Sequence, residues 1–218
     1  MSESVNLPRR EIAEAGALRA LAHPLRWRLL RELVVHGPAT ATALAERVDE
    51  SPSNCSWHLR QLAKHGFVEE AEGGTGRQRP WRFVLQATSV AEAGDDPETA
   101  HAREALLDFL RQRDLQELRA WEATQHREPS AWREAAVVAD ANYVWLSAEE
   151  LAAFTTALTE LIHQHLTPRV GRVDPAHRPP GSRPITFTAW AVPAGPPHEE
   201  AGRPATDPPG EEDDDAGD

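Results

Sequence analysis

Thr40 to Arg82 reads TATALAERVDESPSNCSWHLRQLAKHGFVEEAEGGTGRQRPWR, and this stretch decides the fold. Thr40 is an N-cap residue, and Leu44, Ala45 and Val48 behind it mark the buried stripe of a short helix. Asp49-Glu50-Ser51 makes a tight turn. Ser51 then caps a second helix with Pro52 at its first position, where a missing N–H costs nothing. Gly66 closes that helix in the left-handed position after its C-cap. Residues 67–70 and 81–84 alternate as strands, and the Gly- and Arg-rich tip between them predicts a hairpin. Helix, turn, helix and basic hairpin together spell a winged helix-turn-helix, which presents a helix and a loop on one side, as reading a duplex requires.

The second helix, residues 52–65, separates two faces. Cys55, Leu59 and Leu62 fall at i, i+4 and i+7 and are expected to pack inward with Leu44 and Val48. Ser53, Asn54, Ser56, Trp57, Arg60, Gln61 and Lys64 occupy the rest and are the candidate DNA-binding residues. Arg can fork to guanine and Asn or Gln to adenine in a major groove, Ser can serve phosphate or base, and Trp57 can pack on sugar or a thymine methyl. The plainer reading of this surface is a solvated helix face. His58 sits between the two faces, and two roles stay open for it: donation to a phosphate, or a local hydrogen bond that orients the helix. Cys55 reads as a small buried hydrophobe in preference to a redox sensor.

In the hairpin tip, Gly73, Gly74 and Gly76 let backbone approach phosphates, and Arg77, Gln78 and Arg79 complete the candidate DNA-binding set. An exposed hairpin without function is the alternative.

Working outward, residues 12–22 space Ile12, Ala15, Leu18 and Leu21 as a helix, and Pro24 opens another that stops at Gly37-Pro38. Residues 87–97 read as a polar linker. Residues 98–126 form a long helix whose apolar face carries Leu106, Leu107, Leu110, Leu118 and Trp121. Residues 137–146 and 185–192 are expected strands. Between them Ser147 and Glu150 form a capping box for another helix. Trp132, Tyr143, Trp145, Phe154 and Trp190 read as core, or as the lining of a small-molecule pocket.

A formal charge of −12 looks wrong for a DNA binder until it is divided. Residues 1–90 carry 12 basic and 10 acidic side chains, so the acid lies elsewhere. A duplex senses the local field within roughly 8–10 Å, not the whole-chain charge. Residues 193–218 hold nine acidic side chains against Arg203 and read as a disordered acidic tail. A single Cys excludes an intramolecular disulfide and a Cys-x-Cys metal pair, and suits a reducing compartment. The N-terminus lacks a signal-peptide pattern and no stretch approaches about 18 apolar residues, so a cytoplasmic location is expected, without membrane contact.

At LRALAHPLRWRLLREL, ALAERVDESPSNCSWHLRQLAKHGFVEE and GRQRPWRF the chain resembles the ArsR (ArsR/SmtB-like) family of winged-helix repressors. The most specific part is S-x-x-S-x-H-L-x-x-L-x-x-x-G-x-V, filled by Ser53, Ser56, His58, Leu59, Leu62, Gly66 and Val68. The extra length is similar to larger actinobacterial-type members with an extended C-terminal region. The resemblance implies a homodimer that represses from a near-palindromic operator. It also implies a dimer interface built from residues 12–22 and 98–126, hence from Leu18, Leu106, Leu107, Leu110, Leu118 and Trp121. His163 and His165 stand two apart and point to different sides of a helix, so no metal site is expected.

The expected class is therefore α+β and mainly helical. A winged helix-turn-helix spans 11–88. A dimerisation and effector region with a long helix and a small α/β part spans 98–192, and the tail spans 193–218. The expected function is a DNA-binding regulator with double-stranded DNA, a second copy and an unidentified small-molecule effector as partners, and no cofactor. An interaction module built on the same winged helix is the alternative. An enzyme is the weakest reading: nucleophile elbow, phosphate loop and HExxH are all missing.

Overall fold

Leu25, Leu29, Leu30 and Leu33 give one side of α2 (Pro24–His36) an unbroken apolar row, and the N-terminal domain is built on that row. The computed structural model describes residues 9–73, 79–92, 94, 96–137 and 144–195. Gly37 ends α2 at φ +81°, a conformation open to glycine and strained for other residues.

Two capped helices follow. In α3 (Ala41–Val48) the Thr40 hydroxyl accepts from the Ala43 N–H at 3.2 Å, and Leu44, Ala45 and Val48 are buried. Asp49 turns the chain in the left-handed region, where a short polar side chain is tolerated best after glycine. In α4 (Pro52–Lys64) the Ser51 hydroxyl accepts from the Asn54 N–H at 3.2 Å, and Gly66 at φ +66° releases the chain. A cap of this kind contributes about 1 kcal/mol.

The wing stem pairs β2 (Val68–Glu70) antiparallel with β3 (Trp81–Phe83), Val68 opposite Phe83 and Glu70 opposite Trp81. Trp81 also exchanges backbone hydrogen bonds with Ala39 at 3.0 and 2.8 Å, tying the wing to the start of α3.

Residues 9–12 depart from expectation. They form β1 (Arg9–Ile12), paired in parallel with β4 (Ala87–Val90), so α1 (Ala15–Leu21) starts later than the spacing suggests and the polar linker contains a strand. Ile12 is buried, which explains its apolar character without a helix.

Asp96 caps the long helix α5 (Pro97–Thr124), accepting from the Glu98 and Thr99 N–H groups. Helix α1 packs most extensively on α5, joining Ala17, Leu18, Ala20 and Leu21 to Ala102 and Leu106 in one core.

Beyond α5 lie α6 (Ser130–Ala135) and α7 (Ala148–His165), the latter opened by the full Ser147–Glu150 capping box. No residue of either helix is buried. The expected strand at 185–192 is exposed and joins no strand among the described residues, and of the other only 137 and 144–146 are described, outside any strand. Alternation marks two faces, but a strand needs a neighbouring edge, and among the described residues no edge reaches this segment. The C-terminal region is therefore helical. Arg178 fastens it to α2, donating to Val34 O at 2.6 Å and to Val35 O, and so satisfies carbonyls that the helix end leaves free. Residues 196–218, most of the expected acidic tail, lie outside the described residues.

Candidate nucleic-acid interface

The buried side of α4 is fixed first. Cys55, Leu59 and Leu62 are fully buried, and burial pushes the Cys55 thiol pKa up, with Glu50 adding to it. A thiol held this way stays protonated and unreactive. Arg10 locks the far end of the helix by donating to His65 O at 2.5 Å while its guanidinium lies over the Phe67 ring. Arg28 of α2 donates to Val48 O and so holds the turn between α3 and α4.

His58 belongs to this buried side. Only 5% of its surface is exposed, and its ring packs against His23 with centroids 4.6 Å apart. Desolvation, His23 and Arg26 lower its pKa, in that order, so the ring is neutral near pH 7. Among the described residues His58 Nδ1 has no hydrogen-bond partner, and the ring lies on the packed side of α4 away from its exposed edge. Its place is packing beneath the helix.

The opposite side of α4 carries Ser53, Trp57, Arg60 and Lys64 at i, i+4, i+7 and i+11, all exposed. Trp57 is half exposed and stands edge-on to the His58 ring at 4.7 Å, so its indole is propped outward. Among the described residues Arg60, Gln61 and Lys64 have neither hydrogen bond nor ion pair, leaving their donors available. Asn54 is partly committed, since its Nδ2 donates to Glu50 Oε2 at 3.0 Å; Ser53 lies 3.2 Å from the Ser51 hydroxyl. Ser56 is half-buried beside them.

From the wing, Arg79 is exposed and pairs with Glu70 at 2.8 Å, and Arg82 pairs with Glu69 at 2.8 Å. Arg77 and Gln78 lie outside the described residues. Arg47, in the last turn of α3, is exposed and unpartnered among the described residues, and was missing from the sequence reading. The signal was present: Leu44, Ala45 and Val48 define the buried face, which leaves Arg47 on the other.

Of the residues expected at a dimer interface, Leu18 and Leu106 are completely buried within one chain and offer a partner nothing. Leu107, Leu110, Leu118 and Trp121 are half-buried on α5 and keep surface to share. Among the described residues no three His, Cys, Asp or Glu side chains gather as a metal site, and no helix is long and apolar enough to cross a membrane.

Residues 21–71 match a family model described as a helix-turn-helix domain, the span that holds α2, α3, α4 and β2. A curated pyrroloquinoline-quinone synthase of Granulibacter bethesdensis is 30% identical over 129 residues, 56% of this chain and 49% of its own. The chain thus spans about half the length of that relative. Two solved structures are similar: the transcriptional regulator Tm0710 from Thermotoga maritima and a variant of ZitR from Lactococcus lactis. The first has a TM-score of 0.26 at 9% identity, covering 66% of this chain and 79% of that one. The second has a TM-score of 0.26 at 14% identity, covering 66% and 73%.

Proposed function

We propose that this chain is a sequence-specific DNA-binding transcriptional regulator, acting as a homodimeric repressor on a near-palindromic operator. Helix α4 enters the major groove, and the wing around residues 73–79 lies on the flanking groove. One observation carries the reading. Ser53, Trp57, Arg60 and Lys64 line one exposed edge of a capped helix whose other side is immobilised in the core, with the basic donors unpaired among the described residues. A fixed helix with free bidentate donors is what base readout needs. The helix-turn-helix match over residues 21–71 supports the same reading.

A second copy brings two such helices to half-sites roughly 34–36 Å apart. The half-buried Leu107, Leu110, Leu118 and Trp121 on α5 are the side chains offered to it.

The test is selection of bound sequences from a random duplex pool by the purified chain. An enriched inverted repeat is the expected result. A neutralisation of about six phosphates predicts a log–log salt slope near −5. Absence of enrichment, with a folded protein at moderate salt, replaces this reading with a winged-helix interaction module.

A further inference from the structure

Among the described residues, the buried side-chain nitrogens without a hydrogen-bond partner are His23 Nδ1, Arg26 Nε, Trp27 Nε1 and His58 Nδ1. They are not scattered. Three belong to the start of α2 and the fourth to the middle of α4. Buried polar groups are nearly always satisfied, so such a concentration asks for an explanation.

The two imidazoles meet across a seam. His23 is the N-cap residue of α2, directly after α1, and α1 is the helix that packs on α5. Ring centroids are 4.6 Å apart with planes tilted by 45°. The pair is therefore a contact between the α1–α2 corner and the reading helix. Trp57 closes it from outside, edge-on to His58.

The surroundings favour neutral rings. Arg26 of α2 faces both and opposes a further positive charge. Its own guanidinium is held by Arg19 O of α1 at 2.9 Å, while the Arg19 side chain is engaged with Glu98 of α5. Among the described residues, Glu50, in the turn before α4, is the carboxylate whose charge favours a proton on His58, and it is engaged with Asn54. For His23 the opposing influence among the described residues is its own backbone. Glu46 and Arg47 of α3 and Glu69 and Glu70 of β2 are exposed. Glu14, the N-cap of α1, with Lys64, Arg10 and Arg26, acts on the neighbouring His65. Among the described residues Nδ1 of neither ring has a hydrogen-bond partner, so a cationic ring at this seam leaves that N–H without an acceptor and stands beside a fixed guanidinium.

We propose that the His23–His58 pair is a proton-operated release for the reading helix: two neutral rings seat α4 on the α1–α2 corner, and a proton on either ring parts them, shifts Trp57 and Arg60, and weakens duplex binding. The proposal rests on the DNA-binding reading for its output. The movement itself does not depend on that reading. Both rings have pKa values lowered chiefly by desolvation, which places the transition on the acid side of neutrality.

The test compares the full chain with His23→Gln and His58→Gln, which keep a polar side chain and remove the charge. Affinity for the selected duplex is measured at constant ionic strength from about pH 7.5 to about pH 5.5, the range in which histidine switches. The expected result is a loss of about tenfold or more in the parent and about twofold or less in each variant, relative to any pH dependence common to all three. Equal pH dependence in parent and variants overturns the proposal. Should His58→Gln fail to fold, His23→Gln decides, since His23 is only half-buried.

A second readout needs no DNA. Imidazole and backbone amide resonances of the free protein are followed through the same pH range. The His23 and His58 rings and the α4 amides should shift together. Such a shift without duplex binding at any pH sustains the release and removes the DNA reading. Ring titration that leaves the α4 amides unmoved overturns the release.

Discussion

Arg79 donates to the Glu70 carboxylate at 2.8 Å across the wing stem, from two residues beyond the last paired position of β2 and β3, Glu70 opposite Trp81. Both side chains are about half exposed or more, at 65% and 48%. An exposed pair of this kind contributes roughly 0–1 kcal/mol, because water and salt compete for both partners. A phosphate can therefore take Arg79 from Glu70 at little cost. Arg79→Ala is expected to leave thermal stability nearly unchanged and to weaken duplex binding evenly across sequences, with a salt slope flatter by about one unit. An unchanged slope would take the wing out of the interface. Glu70→Gln should do the opposite, raising non-specific affinity by freeing the arginine.

Arg60 and Lys64 stand four residues apart on the exposed edge of α4, and their expected effects differ in kind. A guanidinium that forks to guanine discriminates, so Arg60→Ala should cost about 1–3 kcal/mol on the selected operator and relax preference at one base pair. Lys64 lies at the end of the helix, and an ammonium there suits a phosphate. Lys64→Ala should weaken all duplexes alike. Titrations of both variants against operator and random duplex separate the two roles. A uniform loss for Arg60→Ala would reassign it to the backbone.

Leu106 and Trp121 both belong to the apolar face of α5 yet differ in burial. Leu106 is fully buried against its own chain, and Leu106→Ala should cost about 2–5 kcal/mol of stability, independent of protein concentration. Trp121 is half-buried, so Trp121→Glu should leave the fold intact and shift a monomer–dimer equilibrium toward monomer. Sedimentation at several concentrations checks this. A Trp121→Glu variant that stays dimeric would move the interface elsewhere.

These differences follow from what a sequence can and cannot carry. The caps at Thr40, Ser51 and Ser147, and the left-handed Gly66, were legible because capping is chemistry among neighbours. The parallel pair Arg9–Ile12 with Ala87–Val90 was not, since its partners are far apart in the chain and neither four-residue strand carries an alternation of its own. His58 was half legible. Cys55, His58, Leu59 and Leu62 have the i, i+3, i+4, i+7 spacing of one buried face, but a polar side chain argued against placing it there. Residues 185–192 show the converse failure, a strand pattern that finds no edge to join among the described residues.

Desolvated imidazoles set the direction of stability with pH. His23, His58 and His65 all have pKa values lowered from 6.5, with desolvation as the leading cause in each. The unfolded chain therefore binds protons on these residues at a higher pH than the folded chain does. By linkage, stability rises with pH wherever the unfolded state holds more protons. Their contribution is fully present above about pH 6.5 and is lost as pH falls through the lower folded-state values. Chemical denaturation midpoints should thus be flat from about pH 7 to 8 and fall below about pH 6. The decline should be shallower in His58→Gln, where the unfolded chain has one fewer ring to protonate. Acidic carboxylates cannot mimic this difference, because every carboxylate is shared by the two proteins. An identical decline in both would mean that His58 is protonated as readily in the folded chain as in the unfolded one.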